Sequence, residues 1–125
     1  MEANLVSWFE IPVLNMDRAK VFYEAVFNIN VTVQDFEGTL MGWFPMHEKN
    51  PGASGSLIYN EAYIPSETKG VMVYFNSNDI TKDLKNVVKY GGKVLQEKTQ
   101  ISPEIGYMGV FIDSEGNRIS LYTNA

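Results

Sequence analysis

Hydrophobic and polar positions along the chain follow one pattern twice. The segment WFEIPVLNMDRAKVFYEAVF, which begins at Trp8, returns in outline as MVYFNSNDITKDLKNVVKY, which begins at Met72. The same offset of 64 residues (72 − 8) relates Ser56 to Ser120. Few residues are identical, but alternating, polar and amphipathic stretches come in the same order. Two copies indicate one domain built from a pair of modules, not a solenoid of many repeats.

The first copy predicts one helix among four strands. Residues Val6–Val13 alternate between two faces, with Phe9 on one face and Glu10 on the other, which is the period of a strand. Asn15 is a suitable N-cap for the helix that follows. The apolar stripe of that helix is Met16, Ala19, Phe22, Tyr23 and Val26. Further strands are predicted at Ile29–Gln34, Leu40–Met46 and Ser56–Tyr59.

The second copy repeats this order after a linker, Asn60–Gly70, whose Pro and Gly residues are typical of a loop. Asp79 is the predicted cap of the second helix, and Gly91-Gly92 end it. The predicted buried stripe of this helix is Ile80, Leu84, Val87 and Val88. The predicted strands are Val71–Ser77, Lys93–Glu97, Gly106–Asp113 and Asn117–Tyr122. Residues 113–117 form a short polar hairpin turn.

Each copy therefore has the order β-α-β-β-β, and the predicted fold class is α+β. Module one spans about residues 5–60 and module two about residues 70–123, within a single domain of residues 1–125. A module of about sixty residues is marginal by itself, so the two are expected to share a core or a cleft. One helix covers one face of each sheet. The other faces of this pseudo-twofold pair of curved sheets are expected to line a cleft.

Composition and charge narrow the possible functions. The formal net charge of −5 argues against binding to nucleic acid or to anionic membranes, both of which need clustered Lys and Arg. No apolar run is long enough to span a bilayer. The absence of Cys excludes disulfides and thiolate sites and is compatible with the cytoplasm, which is the predicted location. No secretory signal is visible at the N-terminus.

The double β-α-β-β-β pattern resembles the vicinal oxygen chelate superfamily, which contains glyoxalases, bleomycin-resistance proteins and extradiol dioxygenases. The stretches that carry the resemblance are FEIPVLNMDRAKVFYEAVF, PGASGSL, GGKVLQEKTQI and GYMGVFIDSEGNRISLY. The branch most similar to this chain is usually described as predicted enzymes related to lactoylglutathione lyase. The resemblance implies a homodimer in which a partner chain helps to complete the cleft.

Metal-using members of that family hold their ion at four strand positions, usually with His, Gln or Glu. The resemblance places these positions at Trp8, Met72, Ser56 and Ser120. None of these side chains is a usual ligand of a divalent cation, so we expect no metal and no other cofactor. His47, the only His, stands in a polar segment entering a loop, where a surface role is expected.

Glu10 is the candidate general base, since it lies mid-strand between apolar neighbours on the free face of the sheet. Tyr74 holds the matching position in the second copy and is the second candidate catalytic residue. The alternative for Glu10 is an ion pair at a cleft rim or at a dimer contact.

Aromatic side chains indicate a wall for a flat organic ligand. The candidate ligand contacts are Trp8, Trp43, Tyr74, Tyr107 and Tyr122, together with Ser56, Met72 and Ser120 on the same strands. Lys98 is a candidate to meet an anionic group at the cleft mouth. Ordinary sheet packing and a subunit interface are the alternatives for the aromatic face.

Two functions of different classes follow. The first is a protein similar to the bleomycin-resistance branch, which binds a small organic molecule in an aromatic cleft without a metal. The second is an enzyme resembling glyoxalases or other lyases, either metal-free with Glu10 as general base or using a metal in an unrecognised way. The polarity of the cleft discriminates between them, because converging ionisable groups near Glu10 favour an enzyme.

Overall fold

The computed structural model describes residues 4–125 of the chain, which contain two helices and eight strands. Residues 1–3, included in the predicted domain, lie outside the described part. The first module consists of β1 (Phe9–Pro12), α1 (Met16–Phe27), β2 (Thr32–Phe36), β3 (Thr39–Trp43) and β4 (Gly55–Tyr59). The second consists of β5 (Tyr74–Asn76), α2 (Ile80–Lys89), β6 (Lys93–Ser102), β7 (Gly106–Ile112) and β8 (Arg118–Thr123).

The two sheets have the same topology, which confirms the α+β prediction and the β-α-β-β-β order. Their strand orders are β1-β4-β3-β2 and β5-β8-β7-β6, with the first pair parallel and the others antiparallel in each sheet. Glu10 pairs with Ser56 across the first parallel pair, and Tyr74 pairs with Ser120 across the second. Both pairs therefore keep the offset of 64 residues that the sequence pattern predicts.

Both helices begin where their capping residues predict. The Asn15 side chain accepts a hydrogen bond from the backbone N–H of Arg18 at 3.0 Å, and the Asp79 side chain accepts one from Lys82 at 3.1 Å. All five residues of the predicted stripe of α1 are buried. The stripe of α2 is confirmed at Ile80, Leu84 and Val87. Val88 is 59% exposed, so its predicted burial is wrong, because about 100° of helical rotation separates it from Val87.

Several strands differ from their predicted limits because partner strands, not local pattern, decide where pairing stops. β1 covers only four residues of the predicted Val6–Val13, Phe9–Pro12, since its paired residues begin opposite Gly55. β5 is likewise shorter than predicted. β6 extends five residues beyond Glu97, because it stays paired with β7 through three register shifts.

One hydrophobic core joins the modules. It includes Phe22 and Tyr23 of α1, Leu84 of α2, Leu57 of β4 and Phe111 of β7. No helix of residues 4–125 has the length and apolar character needed to cross a bilayer.

The turn at residues 113–117 connects the modules through a buried polar network. Glu115 accepts hydrogen bonds from the backbone N–H groups of Leu14 and Asn15, at 2.9 and 2.8 Å, and from the guanidinium of Arg18 at 2.7 Å. Tyr23 donates to Asp113 at 2.6 Å. The predicted turn is confirmed, but it packs against the end of β1 and the start of α1 and is not a solvated surface turn.

Candidate functional site

The two modules differ at the connection between their third and fourth strands. In module two, nine residues (111–119) lie between the paired residues Val110 and Ser120. In module one, twelve residues (44–55) lie between the equivalent pair, Trp43 and Ser56. The short connection of module two fills the corner beside β1 and α1. The longer connection of module one leaves a cavity of about 550 Å³ in the corresponding corner, next to β5.

Aromatic rings form much of the wall of this corner cavity. The six aromatic residues that line it are Trp8, Phe9, Phe27, Phe44, Tyr74 and Phe75. Phe75 has a central position, because its ring centroid lies 4.8 Å from that of Phe27 and 5.7 Å from those of Phe9 and Phe44. These rings belong to β1 and the residue before it, β5, the end of α1 and the residue after β3, so both modules contribute to the wall.

Most polar groups of the cavity come from the long connection of module one. His47, Glu48, Asn50 and Ser54 come from the long connection, and Asn76 comes from the end of β5. No Lys or Arg lines the cavity within residues 4–125. The volume falls in the usual range for small-molecule sites, about 300–1,000 Å³. An apolar wall with a few polar groups at one side is the arrangement that orients a small organic ligand.

Three of the predicted aromatic residues come together here. Trp8 and Tyr74 both line the cavity. Trp43 packs edge-on against Trp8, with ring centroids 6.0 Å apart, and is 37% exposed. His47 is exposed, as predicted, and also lines the cavity.

Ser56 and Ser120 are completely buried, and neither hydroxyl has a hydrogen-bond partner among the described residues. They lie beside Glu10 and Tyr74 in the strand register. Met72 is half-buried and comes before β5. Neither Ser56 nor Ser120 lines the corner cavity.

Glu10 and Tyr74 hold equivalent strand positions but do not share a cavity. Glu10 is exposed and lines two smaller cavities, of about 220 and 360 Å³, beside the linker between the modules. Lys69 and Arg118 line the first of these as well. No ion pair joins either cation to Glu10 in the described part of the chain.

The other predicted contacts lie on module two, away from the corner cavity. The ammonium group of Lys98 lies 4.7 Å from the ring centroid of Tyr107, in a cation-π contact on the surface of the second sheet. The hydroxyl of Tyr122 donates to the carbonyl oxygen of Ile105. Lys98 and Tyr107 therefore contact each other, and Tyr122 contacts the turn between β6 and β7.

Phe27, Phe44, Phe75 and Glu48 were missed as cavity residues by sequence reasoning. Phe44 and Phe75 follow the alternation of core strands, and Phe27 ends an amphipathic helix, so each carries the signal of a core residue. The one available signal was the greater length of the connection in module one, which becomes visible when the copies are aligned.

The residues at the four metal positions implied by the resemblance do not suit a cation. An indole, a thioether and two unionised hydroxyls supply no imidazole or carboxylate. Within residues 4–125, no group of three His, Cys, Asp or Glu side chains is placed to hold a metal ion. No metal-dependent step is therefore derived for this chain.

Solved structures of other proteins have the same fold. Glyoxalase I from Zea mays superposes with a TM-score of 0.70 at 18% identity, over 94% of this chain and 45% of that chain. The chain thus spans less than half of the maize enzyme. An antibiotic binding protein from Streptomyces sp. CB03234 superposes with a TM-score of 0.68 at 20% identity, over 100% and 99% of the two chains. At these identities the likeness shows the fold alone.

Sequence comparison identifies the family. A glyoxylase-like domain-containing protein of Didymella fabae is 25% identical over 123 residues, which cover 94% of this chain and 92% of that protein. The family model described as Glyoxalase/Bleomycin resistance protein/Dioxygenase superfamily matches residues 5–121. Since this match includes nearly the whole chain and both modules, the protein belongs to the glyoxalase, bleomycin resistance protein and dioxygenase superfamily.

Proposed function

We propose that the protein binds a small organic molecule with an aromatic ring system, without a metal ion. The observation that carries the proposal is the corner cavity of about 550 Å³, whose wall includes six aromatic side chains from both modules. The structural likeness to an antibiotic binding protein over the whole chain is compatible with this function.

The energetics favour a flat, largely apolar ligand. Burial of apolar surface contributes about 25 cal/mol per Å², and stacking between rings adds about 0.5–1.5 kcal/mol for each pair. Phe27, Phe44 and Phe75 are held by packing against one another, so a bound ring would find a wall that is already ordered. A preformed wall lowers the entropy cost of binding.

Removal of one exposed wall residue tests the proposal. Tyr74 is 55% exposed and lines the cavity, so Tyr74→Ala is expected to leave the fold intact. It should weaken binding of an aromatic ligand by about tenfold, because a stacking contact and apolar burial are lost. Ligands are found by thermal shift of the purified protein with a panel of aromatic compounds, and affinity is measured by titration calorimetry.

Tyr90→Ala is the matched control, because Tyr90 is 39% exposed and does not line the cavity. It should bind with wild-type affinity. A chelator should leave the affinity of all three proteins unchanged. Equal affinity of the wild type and Tyr74→Ala would place the ligand elsewhere.

A lyase that uses Glu10 is the second candidate, because Glu10, Lys69 and Arg118 converge on one small cavity. That cavity, of about 220 Å³, is smaller than most small-molecule sites, which is why binding is the first proposal. If any ligand of the panel is turned over, Glu10→Gln should lower the rate about a hundredfold or more, the usual contribution of a general base. Full activity of Glu10→Gln would remove Glu10 as the base.

We further propose that the protein forms a homodimer. Large apolar side chains are strongly exposed around the linker, namely Ile64 at 77% and Val71 at 90%. Both line the cavity that contains Glu10. A second copy of the chain would remove this surface from water.

A further inference from the structure

We propose that the ligand of the corner cavity carries a positive charge on its polar end, as an ammonium or amidinium group attached to an aromatic ring system does. This inference rests on the proposed function, since it specifies the chemical class of the ligand at the same site. Three features of the cavity support it.

The charged residues of the wall are the first feature. Among the described residues, Glu48 is the one Asp or Glu of the wall, and the wall holds no Lys or Arg. Lys49 follows Glu48 directly but does not line the cavity. The chain as a whole has a formal net charge of −5. An acidic wall residue on a negatively charged chain favours a cation over an anion in the cavity.

The end of α1 is the second feature. Phe27, the last residue of this helix, and Ile29 both line the cavity, so the C-terminus of α1 lies at its wall. A helix C-terminus carries about half a negative elementary charge. The last turn of α1 contains no basic residue that would neutralise it. In module two, by contrast, the last turn of α2 contains Lys89.

The aromatic wall is the third feature. The faces of Trp, Tyr and Phe rings are electronegative and attract organic cations, most strongly for Trp. Trp8 and Tyr74 line the cavity on the side of β1 and β5, while Glu48 lies on the long connection. A cationic aromatic molecule matches both surfaces: its ring packs against the wall and its charge lies near Glu48 and the end of α1. An anionic ligand of the same shape would be repelled by Glu48 and by the C-terminus of α1.

Three probes that share one ring system and differ in charge test the inference. They are 2-naphthylmethylamine, which is cationic at pH 7, the neutral 2-naphthylmethanol, and the anionic 2-naphthoate. Binding is followed by NMR through the indole N–H signals of the two Trp residues and the imidazole signals of the single His. Trp8 and His47 line the cavity, so the same spectra show where each probe binds.

The expected order of affinity is cation, neutral molecule, anion. One partly solvated charge at about 5 Å changes affinity by roughly threefold to tenfold. Glu48→Gln should therefore weaken binding of the cation by about threefold to tenfold and leave the neutral probe unchanged. Glu61→Gln is the matched control, because it makes the same change of charge at an exposed site outside the cavity. Glu61→Gln should keep the preference for the cation.

The outcomes separate the two proposals. If the three probes bind equally, or if Glu48→Gln and Glu61→Gln behave alike, the charge inference is wrong while the binding function stands. If none of the probes shifts the signals of Trp8 or His47, both the cavity assignment and the charge inference fail. Because Glu48 is exposed and has no hydrogen bond or ion pair within the described residues, Glu48→Gln is not expected to disturb folding.

Discussion

At the scale of single residues, Glu115 is a buried carboxylate that several hydrogen bonds hold in place. It is 4% exposed and accepts hydrogen bonds from Arg18 and from the backbone N–H groups of Leu14 and Asn15. Burial favours a higher pKa for this carboxyl. The hydrogen bonds from Arg18, Asn15, Ser114 and Leu14 outweigh burial, so its pKa lies below its ordinary value of 4.5.

The lowered pKa predicts how stability depends on pH. Since the ionised carboxylate is favoured in the folded protein, its contribution is fully present above the ordinary pKa of 4.5 and is lost as pH falls through the lower folded pKa. Glu115→Gln should cost about 1–3 kcal/mol of unfolding free energy at pH 7. The difference from wild type should shrink between about pH 5 and pH 3. Urea denaturation at several pH values measures this difference in unfolding free energy.

Glu104→Gln is the control for this prediction, because Glu104 is exposed in the turn between β6 and β7. The unfolding free energy of Glu104→Gln should equal that of the wild type at each pH. Asp113 behaves in the opposite way to Glu115, because burial raises its pKa even though Tyr23 and Asn117 donate hydrogen bonds to it. Asp113 is present in all three proteins, so its contribution to the pH dependence of stability cancels when they are compared. A constant difference between wild type and Glu115→Gln at all pH values would contradict the assignment.

At the scale of elements, equivalent glycines allow each helix to pack closely on its sheet. Gly42 pairs with Leu57, and Gly109 pairs with Leu121, so the two glycines hold equivalent register positions. A Cβ atom at Gly42 would lie 3.0 Å from the Sδ atom of Met16 of α1, and one at Gly109 would lie 3.0 Å from Ile80 of α2. The sequence pattern did not single out either glycine.

Gly109→Ala is therefore expected to destabilise the protein by about 1–3 kcal/mol through overpacking. The gain from a less flexible unfolded chain, about 0.4–1 kcal/mol, offsets only part of this cost. The contact is with the γ2 methyl group of Ile80, which leucine lacks. The double variant with Ile80→Leu should consequently lose less than the sum of the single changes. Additive losses in thermal or chemical unfolding would argue against the contact.

At the scale of the whole molecule, the proposed homodimer makes a prediction of its own. Wild-type protein at micromolar concentration should sediment as a dimer of the 14.1 kDa chain. Val71→Asp should shift the equilibrium toward monomer, because it places a charge within the apolar surface around the linker. Val88→Asp is the control, since Val88 is 59% exposed on α2. A wild-type protein that sediments as a monomer would exclude the dimer at that concentration.

The tertiary structure also changed the expected site. The residues predicted from the free faces of the sheets divide among separate places: Trp8 and Tyr74 in the corner cavity, Glu10 beside the linker, and Lys98 on module two. The sequence identified which strands carry aromatic residues. Which of them meet across the modules depends on how two sheets pack, and a local pattern contains no information about that.

The sequence by itself determined the two copies, the helix caps, the buried stripe of α1 and the fold family, because periodicity and capping are local properties. Only the tertiary structure decided that one corner is filled by a buried polar turn while its counterpart is open. Residues 113–117 carry the composition of an ordinary surface turn. The backbone N–H groups and guanidinium that satisfy Glu115 come from about a hundred residues earlier in the chain, and only folding brings them together.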